Sequence, residues 1–187
     1  MSSPRIGVAV RAPGTAPGRR RRVAEARAPR LQWGGMREYR YRIDGEGRIF
    51  HDGSEILDPM VLRFFLRAMQ PTPDGRYLVV CQGEHNWFEP EDTPFVVQRL
   101  RLARQRDRVS TVELGFAGDY REPLDPGSLE AEGGRLFCRV RRGAFRARFG
   151  RVAMHQLAPL LVEDAAGLGL VLDGTRHPVR QPIGVTG

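Results

Sequence analysis

Bulky and polar positions alternate from residue 37 to 43, with Tyr39, Tyr41 and Ile43 on one side, which is the period-two pattern of a half-buried strand. Asp44-Gly45-Glu46-Gly47 then reads as a turn and residues 48–51 as the returning strand of a hairpin. After a second turn at Asp52-Gly53 the period changes. Leu62, Phe65, Leu66 and Met69 recur at helical spacing, Arg63, Arg67 and Gln70 line another face, and Asp58-Pro59 supplies an N-cap followed by a proline at the first helical position. Residues 71–75 end this helix, and 76–81, with Tyr77, Leu78, Val79 and Val80, form a strongly apolar strand.

Residues 82–94 are turn-rich and acidic and are expected as a hairpin turn followed by a loop. Strands are expected over 95–102 and 109–115 around a charged turn at 104–108, and 117–134 reads as a Gly- and Pro-containing connection. A second block follows, with hairpin strands over 135–140 and 145–149 around Arg141 to Gly143. A short helix over 152–162 carries Ala153, Leu157, Leu160 and Leu161 on one side, with Pro159 kinking or restarting it. Strands at 168–172 and 177–180, joined by Asp173-Gly174, close the pattern. Gly47-Arg48-Ile49-Phe50 and Gly134-Arg135-Leu136-Phe137 open the two blocks alike, a weak internal repeat that points to duplication. The expected fold class is α+β, in two small hairpin–helix–strand halves at 36–116 and 117–187.

Residues 1–35 have no such period. They mix Pro, Gly, Ala and Arg, including the run Arg19 to Arg22, and are expected as a disordered leader. Met36 stands directly before the first periodic segment, so either initiation at Met36 or a genuine disordered tail accounts for the leader. Few serines and no clear amphipathic helix count against a targeting presequence.

Charge changes the picture only through where it sits. The chain of 187 residues carries a net charge of +8. The leader holds eight arginines and one acid, leaving 22 arginines against 21 acids in residues 36–187. Attraction for nucleic acid is therefore a property of the leader and not of the folded part. All basic residues other than histidine are arginine, a bias that fits a GC-rich genome. Two cysteines, Cys81 and Cys138, are too few for a disulfide-stapled scaffold and are expected as reduced, packed thiols. No apolar run approaches the ~18–20 residues of a membrane span. A soluble, cytoplasmic protein without a membrane partner is the expectation.

Candidate chemistry is sparse. Cys81, His85, Glu89 and Asp92 are metal-ligand types, but their spacing matches no recognised motif. Glu91 and Asp92 are adjacent and point oppositely on an extended chain, unlike a catalytic carboxylate pair. The histidines at 51, 85, 155 and 177 are scattered, and no Ser, Cys or Thr stands in a nucleophile elbow. Gly45-Glu46-Gly47 and Gly167-Leu168-Gly169 lack the rest of a phosphate-binding fingerprint. No catalytic residue, cofactor or metal is assigned. In the second block Arg139, Arg141, Arg142, Arg146, Arg148 and Arg151 crowd one hairpin. Arg146 and Arg148 share a face there, a row that either holds phosphate or forms a solvated sheet surface.

Residues 44–53, the Asp58 helix, Asp74-Gly75-Arg76-Tyr77-Leu78-Val79 and Glu91-Asp92-Thr93-Pro94-Phe95-Val96-Val97 resemble, in that order, an uncharacterised bacterial family of unknown function. Cys81, Glu84, Asn86, Glu91, Asp92 and Pro94, with Leu157-Ala158-Pro159-Leu160-Leu161, are also similar to a related uncharacterised family that includes animal mitochondrial proteins. The resemblance covers most of residues 38–163. It implies a duplicated α+β core, a pleckstrin-homology-like second half, and a site between the halves for a nucleotide-like molecule, with a role in signalling. His85-Asn86-Trp87 departs from the family's more basic or aliphatic stretch. The resulting expectation is a non-enzymatic ligand-binding or regulatory protein. Glu84, Asn86, Asp92 and Phe95 would face Arg146 or Arg148 across a cleft, acids and amides holding base or ribose while arginine meets phosphate. The alternative is a metal-dependent enzyme using the loop from Glu84 to Asp92.

Overall fold

A computed structural model of the protein describes residues 37–181, so the leader expected over 1–35 lies outside the described residues. The chain is mixed α+β, mostly strands with few helices. β1 (Glu38–Ile43) and β2 (Ile49–His51) form the first hairpin, with Tyr41 opposite His51, and β3 (Ser54–Glu55) extends it. The turn between them is built by Asp44, whose carboxylate accepts hydrogen bonds from the backbone N–H groups of Glu46 and Arg48, both at 2.9 Å. Helix α1 (Pro59–Ala68) begins where the capping pattern places it, with Asp58 Oδ1 accepting from Met60 N–H at 2.8 Å. Its Leu62, Phe65 and Leu66 are buried against the first sheet, where Phe65 meets Tyr41 and Phe88 at ring separations of 5.0 and 5.1 Å.

β4 (Gln70–Pro71), β5 (Tyr77–Cys81) and β6 (Glu84–Pro90) complete a six-stranded sheet in the order β3-β2-β1-β6-β5-β4. The loop expected over 82–94 is thus mostly strand. Its polar sequence hides a period of two: Asn86 and Phe88 face the core while His85, Trp87 and Glu89 face outward. β6 is held from both sides, parallel to β1 and antiparallel to β5, so backbone pairing outweighs its weak local preference.

The strand expected over 95–102 is two strands that serve different sheets. β7 (Phe95–Val97) is followed after Gln98 by β8 (Arg99–Gln105), which pairs with β9 (Arg108–Gly115). The connection over 117–134 contains a 3-10 turn at Ala117–Asp119, β10 (Arg121–Pro123), a second 3-10 turn at Pro126–Ser128 and β11 (Glu130–Glu132). β12 (Arg135–Val140) and β13 (Phe145–Phe149) form the second hairpin as expected, and their sheet runs β11-β12-β13-β7, with β7 parallel to β13. Helix α2 (Arg151–Leu157) stops before Pro159. The remainder of the helix expected to 162 is a 3-10 turn at Ala158–Leu160 and then β14 (Leu161–Asp164). β15 (Gly167–Leu172) and β16 (Thr175–Pro178) close a three-stranded sheet with β14. One apolar cluster joins these sheets, running from Ile43, Val79 and Phe88 to Phe95, Leu114, Phe145, Leu157 and Leu170. Tyr77 and Phe145, 5.9 Å apart, touch where the first sheet meets the second hairpin.

Candidate functional site

The residues expected around a cleft between the halves fall into three groups. Glu84 and Asn86 lie at the start of β6, on the order of 20 Å along the chain from Asp92 at ~3.3 Å per residue. Asn86 is buried, and its amide donates to Val79 O at 3.2 Å and Glu84 O at 3.4 Å, so its hydrogen bonds close its own hairpin. Phe95 is fully buried in an aromatic cluster with Phe145 at 4.9 Å and Phe116 at 5.7 Å. Only Asp92 and Arg148 meet. Arg148 Nε lies 3.0 Å from Asp92 Oδ2 without hydrogen-bond alignment, and its Nη2 donates to Gly45 O.

Around that pair the first turn is clamped to the second hairpin. Glu91 Oε2 accepts from Gly45 N–H at 2.9 Å, Arg42 reaches Glu91 Oε1 at 2.5 Å, and Arg135 approaches Asp92 at 3.2 Å. Arg48 Nε donates to Asp44 at 2.7 Å. Burial pushes the Asp44 carboxyl up, but the backbone donors and the Arg48 guanidinium outweigh it and hold the group below the usual carboxylate range. Arg146 shares a face with Arg148, as period two requires. It is matched by Glu132 and by Glu130 at 3.6 Å and stacks its guanidinium over Phe137 at 3.6 Å. The expected row of arginines is therefore already paired with acids.

The ligand types considered for a metal are separated by the same strand geometry. His85 and Glu89 face outward ~13 Å apart on β6, while Cys81 sits on the opposite face with Val79. Among the described residues no three His, Cys, Asp or Glu side chains gather closely enough to hold a metal ion.

A different set of arginines is not neutralised. A cleft of about 840 Å³ opens between β10, the Pro126–Ser128 turn and the far end of the β12–β13 hairpin, lined by Arg139, Arg141, Arg142 and Arg180 against two acids, Glu122 and Asp125. Both acids serve as local acceptors: Glu122 takes the Tyr120 hydroxyl and, at 2.8 Å, the Arg141 backbone N–H, while Asp125 takes Gly127 N–H at 3.0 Å. Arg141 is anchored, its Nη1 donating to Leu66 O at 2.6 Å and so satisfying a carbonyl at the C-terminal end of α1. Arg180 Nη2 donates to Gly127 O at 2.9 Å. The side chains of Arg139 and Arg142 make no hydrogen bond or ion pair with any described residue. Arg139 also stands directly opposite Arg146 across the hairpin, a like-charge pairing that costs stability.

The backbone at this rim is strained. Arg141 and Arg142 have φ of 53° and 57°, both in the left-handed region, and Gly143 N–H bonds to Val140 O at 3.1 Å. Such a turn favours Asn-Gly or Gly-Gly at its two central positions, not two arginines. Two groups near the cleft have shifted ionisation. Burial pushes the Cys138 thiol up to about 12, with Glu122, Asp125 and Glu130 adding to it. Burial also pushes the Tyr120 phenol up, supported by its hydrogen bond to Glu122. Both groups stay protonated at neutral pH. A smaller cleft of about 400 Å³ lies beside β8 and β9, where Arg121 is matched by Glu113 at 3.2 Å and Asp119 at 2.9 Å.

The arginine cleft was visible in the sequence only as a crowded hairpin. Arg180, some 40 residues from Arg139, carried no local signal, and neither did the left-handed backbone of Arg141 and Arg142.

No family model matches the chain. Its fold is similar to that of two solved structures. A DUF1285 family protein from Silicibacter pomeroyi DSS-3 superposes with a TM-score of 0.58 at 20% identity, over 84% of this chain and 89% of that one. A DUF1285 family protein from Shewanella baltica OS155 gives 0.52 at 14% identity, over 64% of this chain and 90% of that one. At these identities the likeness bears on the fold.

Proposed function

We propose that the protein is a non-enzymatic ligand-binding or regulatory protein whose arginine cleft takes the phosphate end of a small nucleotide-like molecule. One observation carries this reading: Arg139 on β12 and Arg142 on the strained turn that follows it line a cleft of ligand size, and neither side chain has an ion-pair partner among the described residues. A guanidinium presents a rigid fork that matches two phosphate oxygens, and four arginines against two acids leave the lining net positive, which favours an incoming anion. Glu122 and Asp125 line the same cleft, and the lone pairs their local hydrogen bonds leave over would accept ribose hydroxyls or an exocyclic amine. The Asp92–Arg148 region between the halves is the weaker placement, because its charges are matched and Phe95 is core. A signalling role fits a binder that senses a metabolite without consuming it.

The duplication belongs to the same proposal. It is supported by two similar successions along the chain, β1–β3 to α1 to β4–β6 and β11–β13 to α2 to β14–β16, with Gly47 before β2 and Gly134 before β12; the first meander joins the sheet of its hairpin, whereas the second forms a sheet of its own. A pleckstrin-homology-like second half is part of that reading.

The test is thermal denaturation of the full chain with inorganic pyrophosphate and with nucleoside mono-, di- and triphosphates, sodium sulfate being the ionic-strength control. A ligand at roughly 100 times its Kd adds about 2.7 kcal/mol, a rise in Tm of about 5–10 °C for a domain of this size. Arg139→Gln removes most of that rise. If no phosphorylated compound exceeds sulfate, or if Arg139→Gln responds as the parent does, the proposal is wrong.

A further inference from the structure

Helix α1 buries one face and leaves another apolar face without a partner among the described residues. Leu57, just before the cap, is 76% exposed, and in the first two turns Met60 is 74%, Val61 36% and Phe64 42% exposed. These side chains offer on the order of 400 Å² of apolar surface, comparable to the largest patch on a typical monomer, which is often functional. Charges frame it asymmetrically. Glu55 and Asp58 stand at its N-terminal end, Arg63 and Arg67 toward its C-terminal end. Arg63 is tied to Gly118 O at 3.0 Å and Asp58 to the helix N-terminus. The side chains of Glu55 and Arg67, both exposed, make no hydrogen bond or ion pair with any described residue.

We propose that this face binds a second copy of the chain, α1 against α1 in antiparallel register about an axis near Met60 and Val61. That register sets Leu57 opposite Phe64 of the partner subunit and brings the free Glu55 of one copy to the free Arg67 of the other. Parallel packing would oppose like charges instead. The pattern is thus self-complementary, as a two-fold interface requires, because each contact is made twice by the same patch. Two such patches bury roughly 800 Å² of apolar surface, to which the polar rim adds. The total lies at the lower end for specific interfaces, so the dimer is weak and reversible. The arginine cleft lies at the far end of α1 and is not part of this face.

Sedimentation of the full chain across roughly 1–300 µM, the range in which a micromolar Kd is read, tests this. The parent moves from monomer to dimer across the series. Met60→Glu and Phe64→Glu change only exposed positions, keep the far-ultraviolet dichroism and Tm, and weaken association at least 30-fold. Glu55→Arg or Arg67→Glu alone weakens it about 3- to 10-fold at low salt, and the double exchange restores it, since the pair is reformed across the axis. A parent that stays monomeric throughout overturns the proposal, whether or not the same residues bind lipid vesicles or another protein. So does a dimer indifferent to Met60→Glu, and so does a double exchange no better than the single changes.

Discussion

Replacing Arg142 by glycine separates the two consequences of placing an arginine in a left-handed turn. At φ of 57° an L-residue costs about 1–2 kcal/mol relative to its preferred regions, and glycine removes that strain. Glycine adds about 0.5–1 kcal/mol of backbone entropy to the unfolded chain, which offsets part of the gain. Arg142 is exposed and its side chain has no described partner, so no native contact is lost. The net expectation for Arg142→Gly is a stabilisation of about 0.5–1 kcal/mol, or a Tm higher by about 1–4 °C. The same change removes a charged donor from the cleft, worth about 1.5–3 kcal/mol of binding, or about 10- to 150-fold in Kd for a phosphorylated ligand. Calorimetric unfolding and titration of one preparation give both numbers. Higher stability with unchanged affinity would mean that the strain is not kept for a ligand. Lower stability would mean that the turn is not strained, and the argument for the cleft would fail with it.

Two further changes probe the residues around the first expected site. Phe95→Ala removes a fully buried ring and costs about 3–5 kcal/mol in urea denaturation, while the fraction that remains folded keeps its ligand affinity; a loss of affinity at near-parent stability would return Phe95 to a binding role. The Asp44 carboxyl has a folded-state pKa below its unfolded value of about 3.9, so its contribution is present above that value and is lost as pH falls through the folded one. Asp44→Asn is therefore expected to lower stability by about 1–3 kcal/mol at pH 7, with the difference from the parent closing below about pH 4; a difference that persists unchanged to pH 2 contradicts the assignment.

Local patterns were legible wherever one physical requirement governs a short stretch. Asp58-Pro59 announces a helix start because the cap and the missing N–H act within a few residues. Arg146 and Arg148 alternate with Phe145, Ala147 and Phe149, and the structure places the two sets on opposite faces. Residues 82–94 were misread because Glu84, His85 and Asn86 are poor strand formers whose state is set by β1, some 45 residues earlier in the chain. The strand over 95–102 divides at Gln98 for the same reason, since β13 claims one part and β9 the other.

The candidate site divides along that line as well. The sequence alone determined that the described part of the chain is nearly neutral, mixed α+β, and crowded with arginines on one hairpin. Which of those arginines are matched was decided in three dimensions. Glu130 and Glu132 from β11 reach Arg146, and Asp92 from beyond β6 reaches Arg148, while among the described residues no acid pairs with Arg139 or Arg142. Charge acts through space over a few ångströms, and composition does not record which opposite charges the fold brings within that distance.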